Sequence, residues 1–272
     1  MKKFMSILIL TLMCMSISIS ISSCFAKTVK FAQVTDVYFK KQSVALNKIV
    51  KDINKSSDID FVVFTGNNIG QANPKNLEGF LSVVKKLNKP YYLVLGNKDV
   101  SKLNNLDKKT YISMVRKVNR NQGRTPNYVF KRNDIVYIVV DGTKEVIPGI
   151  NGVYTNETIS WLDAQLTKYA YNKVVILQHF PLANKPSNDL YYTYNTLPYL
   201  QMLSKHNNVI AIVSGHYHKN DEVMYNGVYH ITSPQSSNGV YKIIEIDVDN
   251  GYEVFTILKE IEWWLFQQLF LI

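Results

Sequence analysis

Cysteine is nearly absent from this 272-residue chain, and both copies, Cys14 and Cys24, fall within the first 24 positions. From Phe25 onward there is no thiol, which excludes disulfide staples, thiolate metal sites and a cysteine nucleophile. Histidine is scarce as well, with five copies. Carboxylates are in deficit: 21 Asp and Glu face 31 Lys and Arg, a formal charge of +10. Such a surplus favours acidic partners such as phosphate compounds, nucleic acid or anionic lipid. No run of five basic residues occurs, so the charge reads as a solvated basic surface rather than a nucleic-acid stripe, and no nucleic-acid motif is present. Repeats, linkers and low-complexity tracts are also lacking. One large α/β domain with a full core is therefore the economical organisation.

Residues 1–26 read as a secretory signal peptide. Lys2 and Lys3 give a positive start, residues 4–21 are apolar and interrupted by serine, and Cys24-Phe25-Ala26 is an A-x-A-like cleavage site. A second reading competes. Ile21-Ser22-Ser23-Cys24 looks like a bacterial lipobox, which would put a lipid on Cys24 and tether the chain to a membrane. The expected location is exported, periplasmic or secreted, with a lipid anchor through Cys24 as the alternative. Cleavage after Ala26 removes Lys2 and Lys3 and leaves a surplus of eight positive charges.

Apolar, β-branched runs alternate with helix-spaced segments. Strands are expected at 28–34, 60–65, 91–95, 128–131, 135–140, 173–177 and 209–213, and helices at 42–54, 76–87, 106–118, 157–169 and 196–206. Four further strands follow, at 222–225, 228–232, 240–248 and 252–258, with hairpin turns at Asn226-Gly227 and Asn250-Gly251. Residues 143–156 and 183–194 read as loops. Residues 259–272, with Trp263, Trp264, Leu265 and Phe266, form a hydrophobic tail that packs on the body, docks on a membrane or binds a partner.

The strand ends carry the chemistry. In order they read Asp36-Val37-Tyr38, Gly66-Asn67, Gly96-Asn97-Lys98-Asp99, His179 and Gly215-His216-Tyr217-His218. Ligands bind at the carboxyl ends of strands in open α/β sheets, and two imidazoles in three residues suit metal ligation. This series resembles the calcineurin-like metallophosphoesterases, whose motifs run D-x-H, G-D, G-N-H-[DE], H and G-H-x-H. Trp161-Leu162 on the 157–169 helix, and Asp141 at a strand end, resemble the purple-acid-phosphatase and cyclic-nucleotide-phosphodiesterase branch. The resemblance implies an α/β fold of the four-layer α-β-β-α sandwich type. It also implies two divalent metals (Mn, Zn or Fe), bridged by a carboxylate, that polarise a phosphate and acidify a water.

Carried over residue by residue, the resemblance makes Asp36 and His218 ligands of a first metal, and Asn97, His179 and His216 ligands of a second. Three positions depart. Tyr38 stands at a His ligand position, Asn67 at the bridging Asp, and Lys98 at the catalytic His, with Asp99 supporting it. Asn67 cannot supply bridging charge, and a phenol of unperturbed pKa near 10 is a poor ligand. An ammonium ~4 Å from a dication is repelled by roughly 8 kcal/mol before relaxation, at an effective dielectric near 20. The departures imply at most one ion.

Three functions stay open. The first is a phosphoesterase-fold protein that binds phosphate mono- or diesters or another anion, with hydrolysis weak or lost. The second is a one-metal hydrolase using Asn97, His179 and His216, with the Asn67 carbonyl assisting. The third is an exported interaction scaffold that uses the 183–194 loop or the aromatic tail.

Overall fold

Two open sheets face each other in the computed structural model, which describes residues 27–186 and 190–261. The first is laid down by three parallel strands, β1 (Thr28–Val34), β2 (Phe61–Thr65) and β3 (Tyr91–Val94), and closed by two antiparallel ones, β12 (Val240–Asp247) and β13 (Glu253–Glu260). Its order is β13-β12-β1-β2-β3. The second holds β4 (Tyr128–Arg132), β5 (Ile135–Val140), β7 (Val174–Gln178), β9 (Val209–Ser214), β10 (Asp221–Tyr225) and β11 (Val228–Thr232), in the order β10-β11-β9-β7-β5-β4. Here β5, β7, β9 and β11 run parallel and the two edge strands antiparallel.

Sequence periodicity explains the layers. Residues of β1, β2 and β5 are buried on both faces, as expected of strands packed between a helix layer and another sheet. Phe31, Phe61 and Tyr137 fill the space between the sheets, with Phe31 stacked on Phe61 at 5.0 Å between ring centroids. Truncating a ring of this kind to alanine costs about 3–5 kcal/mol. Helices α1 (Val44–Lys55), α2 (Pro74–Val84) and α3 (Lys108–Val118) cover the outer face of the first sheet through Leu46, Ile49, Phe80 and Val115. Helices α4 (Asn156–Lys168) and α5 (Thr196–Leu203) cover the second through Leu162, Leu166 and Tyr199. The expected α-β-β-α sandwich is therefore the fold.

Local chemistry sets the helix starts. Ser43, Asn73, Asp107 and Thr155 each accept a backbone N–H of the first turn through the side chain, and Pro74 opens α2 where its missing N–H costs nothing. Hairpins turn at Asn133-Asp134 and Asn226-Gly227, where both residues of each pair adopt positive φ.

Three details differ from the sequence expectation. Strand β13 continues through Glu260, so Lys259 and Glu260 belong to the sheet rather than to the tail. Helix α5 stops at Leu203, and residues 204–206 finish it as a turn. The two long loops are tied together by a short parallel ladder, β6 (Gly152–Val153) with β8 (Thr193–Tyr194). Two-residue strands leave no periodicity to read. The expected signal segment, the Cys24 lipidation site and most of the aromatic tail lie outside the described residues. Among the described residues, no helix is long and apolar enough to cross a membrane.

Among the buried histidines, His230 is expected to make the fold acid-sensitive away from the strand-end rim. His230 on β11 is 1% exposed, its Nδ1 has no partner, and burial lowers its pKa to about 4. The folded form thus binds fewer protons than the unfolded chain between the two pKa values, so stability is present above about 6.5 and is lost as pH falls towards 4. The loss expected from this group is about 2–3 kcal/mol. Urea denaturation at pH 7 and pH 4.5 should show a shallower acid-side loss for His230→Leu than for the wild type. Equal losses would remove His230 from the account.

Candidate functional site

Parallel strands from both sheets end at one rim. Asp36 and Tyr38 follow β1, Gly66 and Asn67 follow β2, and Gly96 to Asp99 follow β3. From the facing sheet, Asp141 follows β5, His179 follows β7, and Gly215 to His218 follow β9. The backbone turns sharply there. Asp36, Tyr38, Asn67, His216 and His218 all have positive φ, between 51° and 67°. Five non-glycine residues in that region at one rim mark a site whose geometry is imposed by its surroundings. Gly215 allows the sheets to approach: a Cβ there would meet the Thr35 hydroxyl at 2.0 Å and Asp36 Oδ2 at 2.9 Å.

Asp36 is the hub. It is fully buried, and its carboxylate accepts from Thr35 Oγ1 at 2.8 Å, Asn67 Nδ2 at 2.9 Å, the His216 backbone N–H at 2.9 Å and the Tyr38 hydroxyl at 3.1 Å. His218 Nε2 lies 3.3 Å from the same carboxylate. Burial pushes this carboxyl up, but the His179 and His218 imidazoles and the Thr35 hydroxyl outweigh it and hold Asp36 well below the usual range.

The Tyr38 hydroxyl sits among these groups. It donates to Asp36 Oδ1, accepts from Asn67 Nδ2 at 3.2 Å and lies 2.9 Å from His218 Nε2. With the single phenol proton on Asp36, His218 presents Nε2–H to the phenol oxygen. Burial and the neighbouring Asp36 carboxylate raise the Tyr38 pKa far above its ordinary value, so the phenol keeps its proton. Asn67 is used at both ends, since its Oδ1 accepts the Lys98 backbone N–H at 2.8 Å.

His179 and His216 form the other half. His179 Nδ1 donates to the Thr65 carbonyl at 2.7 Å, which leaves the Nε2 lone pair facing Asn97, whose Oδ1 is 3.3 Å away. The His216 ring is 5.0 Å from that of His179, and its Nε2 is buried with no hydrogen-bond partner. Burial lowers both imidazole pKa values. Among the described residues, no group of three His, Cys, Asp or Glu side chains is arranged to hold a metal ion.

Two expected site residues sit beside the buried cluster rather than within it. The Lys98 side chain is exposed and lines a groove of about 250 Å³, while only its backbone reaches the buried cluster. The reason is the turn after β3: the Lys98 N–H is spent on Asn67, and the ammonium is better solvated at the rim. Asp99 is buried and ties two loops together, accepting from Gly96 N, Ile69 N and Asn68 Nδ2. Burial raises its pKa to about 7. Sequence reasoning missed Thr35, Thr65 and Gln33, which joins the sheets through Thr65 Oγ1 and the Ser214 carbonyl. The only signal was polar residues inside or ending buried strands.

This arrangement defines a class before it defines a member: an α-β-β-α sandwich with Asp, Asn and His gathered at the carboxyl ends of strands from two sheets. The chain belongs to the calcineurin-like phosphoesterase family, whose sequence model matches residues 29–220. It is 24% identical over 213 residues to a probable glycerophosphodiester phosphodiesterase of Arcobacter nitrofigilis, covering 69% of this chain and 71% of that one. It is 22% identical over 204 residues to a probable cyclic nucleotide phosphodiesterase of Coxiella burnetii, covering 71% and 77%. The fold matches a dimetal phosphatase of Danio rerio at a TM-score of 0.63 and 15% identity, over 84% of this chain and 98% of that one.

If Asp36 is the hub, its loss and the loss of one spoke should differ. Tyr38→Phe leaves Asp36 with its other donors and should cost about 1 kcal/mol. Asp36→Asn faces several donors with an amide and should cost about 3–4 kcal/mol. Urea denaturation of both variants checks the order, and a larger loss in Tyr38→Phe would contradict it.

Proposed function

We propose that this chain is an exported phosphoester-binding member of its family whose first-metal position is closed by hydrogen bonds, so that hydrolysis is weak or lost. The observation that carries the reading is the Tyr38 hydroxyl, within 3.2 Å of Asp36 Oδ1, His218 Nε2 and Asn67 Nδ2. Those three groups are the ones the family pattern assigns to the first ion. A protonated phenol and an Asn67 N–H pointed at Asp36 present hydrogens where a dication needs lone pairs. The carboxylate that would bridge two ions is missing at Asn67, and two dications ~4 Å apart need that charge. Two metals therefore do not fit these residues. Export rests on the pattern of residues 1–26, with lipidation of Cys24 as the alternative.

A second reading has its own observation. His216 Nε2 is buried without a partner, and His179 Nε2 has its lone pair fixed by the Thr65 carbonyl. Together with the Asn97 amide they fit a single Zn²⁺ or Mn²⁺ held by neutral ligands. When bound, such an ion supplies Lewis-acid polarisation of a phosphoryl oxygen. The chain's own part is to keep His179 in the right tautomer and to hold Asn97 beside it. An exposed Lys98 at the groove offers a phosphate a positive charge.

Metal content and turnover test both readings. Purified full-length protein loaded with Mn²⁺ should hold at most one equivalent and turn over aryl phosphate mono- and diesters slowly. The Tyr38→His/Asn67→Asp/Lys98→His variant should gain a second equivalent and at least about tenfold in diester hydrolysis. His179→Ala and His216→Ala should remove the single equivalent where one is present. Two equivalents in the wild type, with turnover equal to that of the triple variant, would overturn the closed-site reading.

A further inference from the structure

Two loops wall the groove that leads to Asn97 and Lys98, and their tips are apolar. Residues 101–106 present Leu103, 81% exposed, on a short 3-10 turn, and residues 143–151 present Val146 and Ile147, the latter 79% exposed. Ile150 lines the groove beside Ser101, Asn104, Pro148 and Gly149 and is itself exposed. The loops are held to each other rather than left loose. The Lys102 N–H donates to the Glu145 carbonyl at 2.8 Å, Lys102 Nζ lies 3.3 Å from Glu145 Oε1, and the Lys108 N–H donates to Glu145 Oε2 at 2.7 Å. Single exposed apolar residues are ordinary, but four on adjoining tied loops make a patch that water disfavours.

The charge around the patch selects its partner. Lys102 and Lys144 belong to these loops, Lys98 lines the groove between them, and the Lys40 stem lies against Gly70 on the groove wall. Against them stand Asp99, which is buried, Glu145, whose pairing with Lys102 cancels that lysine, and Asp107, which is engaged in capping α3. Lys144 Nζ also lies 5.8 Å from the centre of the Tyr194 ring, so an aromatic side chain adjoins the same face. Aliphatic tips ringed by lysines, with an aromatic beside them, are the features of a surface that enters the interface of an anionic bilayer.

We propose that the 101–106 and 143–151 loops dock this protein on an anionic lipid surface, with Leu103, Val146 and Ile147 inserted among the headgroups and the groove mouth facing the bilayer. The docking is separate from catalysis and from any anchor at Cys24 or in the tail. It stands whether or not the site hydrolyses.

Hydrogen exchange of the full-length protein reads the loops directly, without interference from other anchors. On vesicles of phosphatidylcholine with 30% phosphatidylglycerol, amides of residues 101–106 and 143–151 should exchange at least fivefold more slowly than in solution. On pure phosphatidylcholine the slowing should be smaller, and high salt should reduce it. The Leu103→Glu/Ile147→Glu variant should lose the protection while keeping its melting temperature, and Tyr171→Glu, at an exposed residue after α4, should keep it. Unchanged loop exchange in vesicle-bound protein overturns the proposal. Equal protection on neutral and anionic vesicles also overturns it. Protection that appears without lipid as protein concentration rises assigns the patch to a second copy of the chain and overturns it as well.

Discussion

A carboxylate buried between two sheets has to be satisfied, and much of this molecule's working rim is arranged around that need. Asp36 is fully buried and accepts from a hydroxyl, an amide, a phenol and a backbone N–H, with an imidazole beside it. Those donors come from both sheets. They therefore fix how β1 and β2 sit against β9, as the Gln33 amide does one layer below. An unpaired buried carboxylate would cost several kcal/mol, and here the cost is offset by neutral donors and histidine.

The same network explains why the strained turns persist. A positive φ at Asp36, Tyr38, Asn67, His216 and His218 costs of order 1 kcal/mol or more at each position. It is retained because each residue is held by a partner across the rim. Gly66, Gly96 and Gly215 bring the backbones close enough for those partners to meet, since a Cβ at any of them would overlap a neighbour at under 3 Å. In this family such a rim grips metal. Here the Tyr38 hydroxyl lies between Asp36 and His218, and the His179 and His216 imidazoles stand beside the Asn97 amide.

Most of the fold was legible because its central strands are buried on both faces and its helices carry one apolar stripe each. Runs such as Phe61–Thr65 and Val174–Gln178 admit little else. The β6–β8 ladder was not legible, because two residues carry no period and the pairing depends on loops far apart in sequence. At the site, the glycine-led clusters revealed which residues gather. Side-chain direction was hidden. Nothing in Gly96-Asn97-Lys98-Asp99 says that Lys98 sends its ammonium to the groove while Asp99 turns inward to Gly96 and Ile69. Tyr38 was visible as a departure from the family pattern, but its contacts with Asp36 and His218 depend on distances.

The central claim is that a phenol hydroxyl, rather than an ion, lies between Asp36 and His218. Anomalous diffraction from crystals grown in excess Mn²⁺ tests it most directly. The expected map has no anomalous peak within coordination distance of Asp36 and His218, with the Tyr38 hydroxyl in hydrogen-bond contact with both. A strong peak bound by Asp36 and His218, with Tyr38 swung away, would contradict the account.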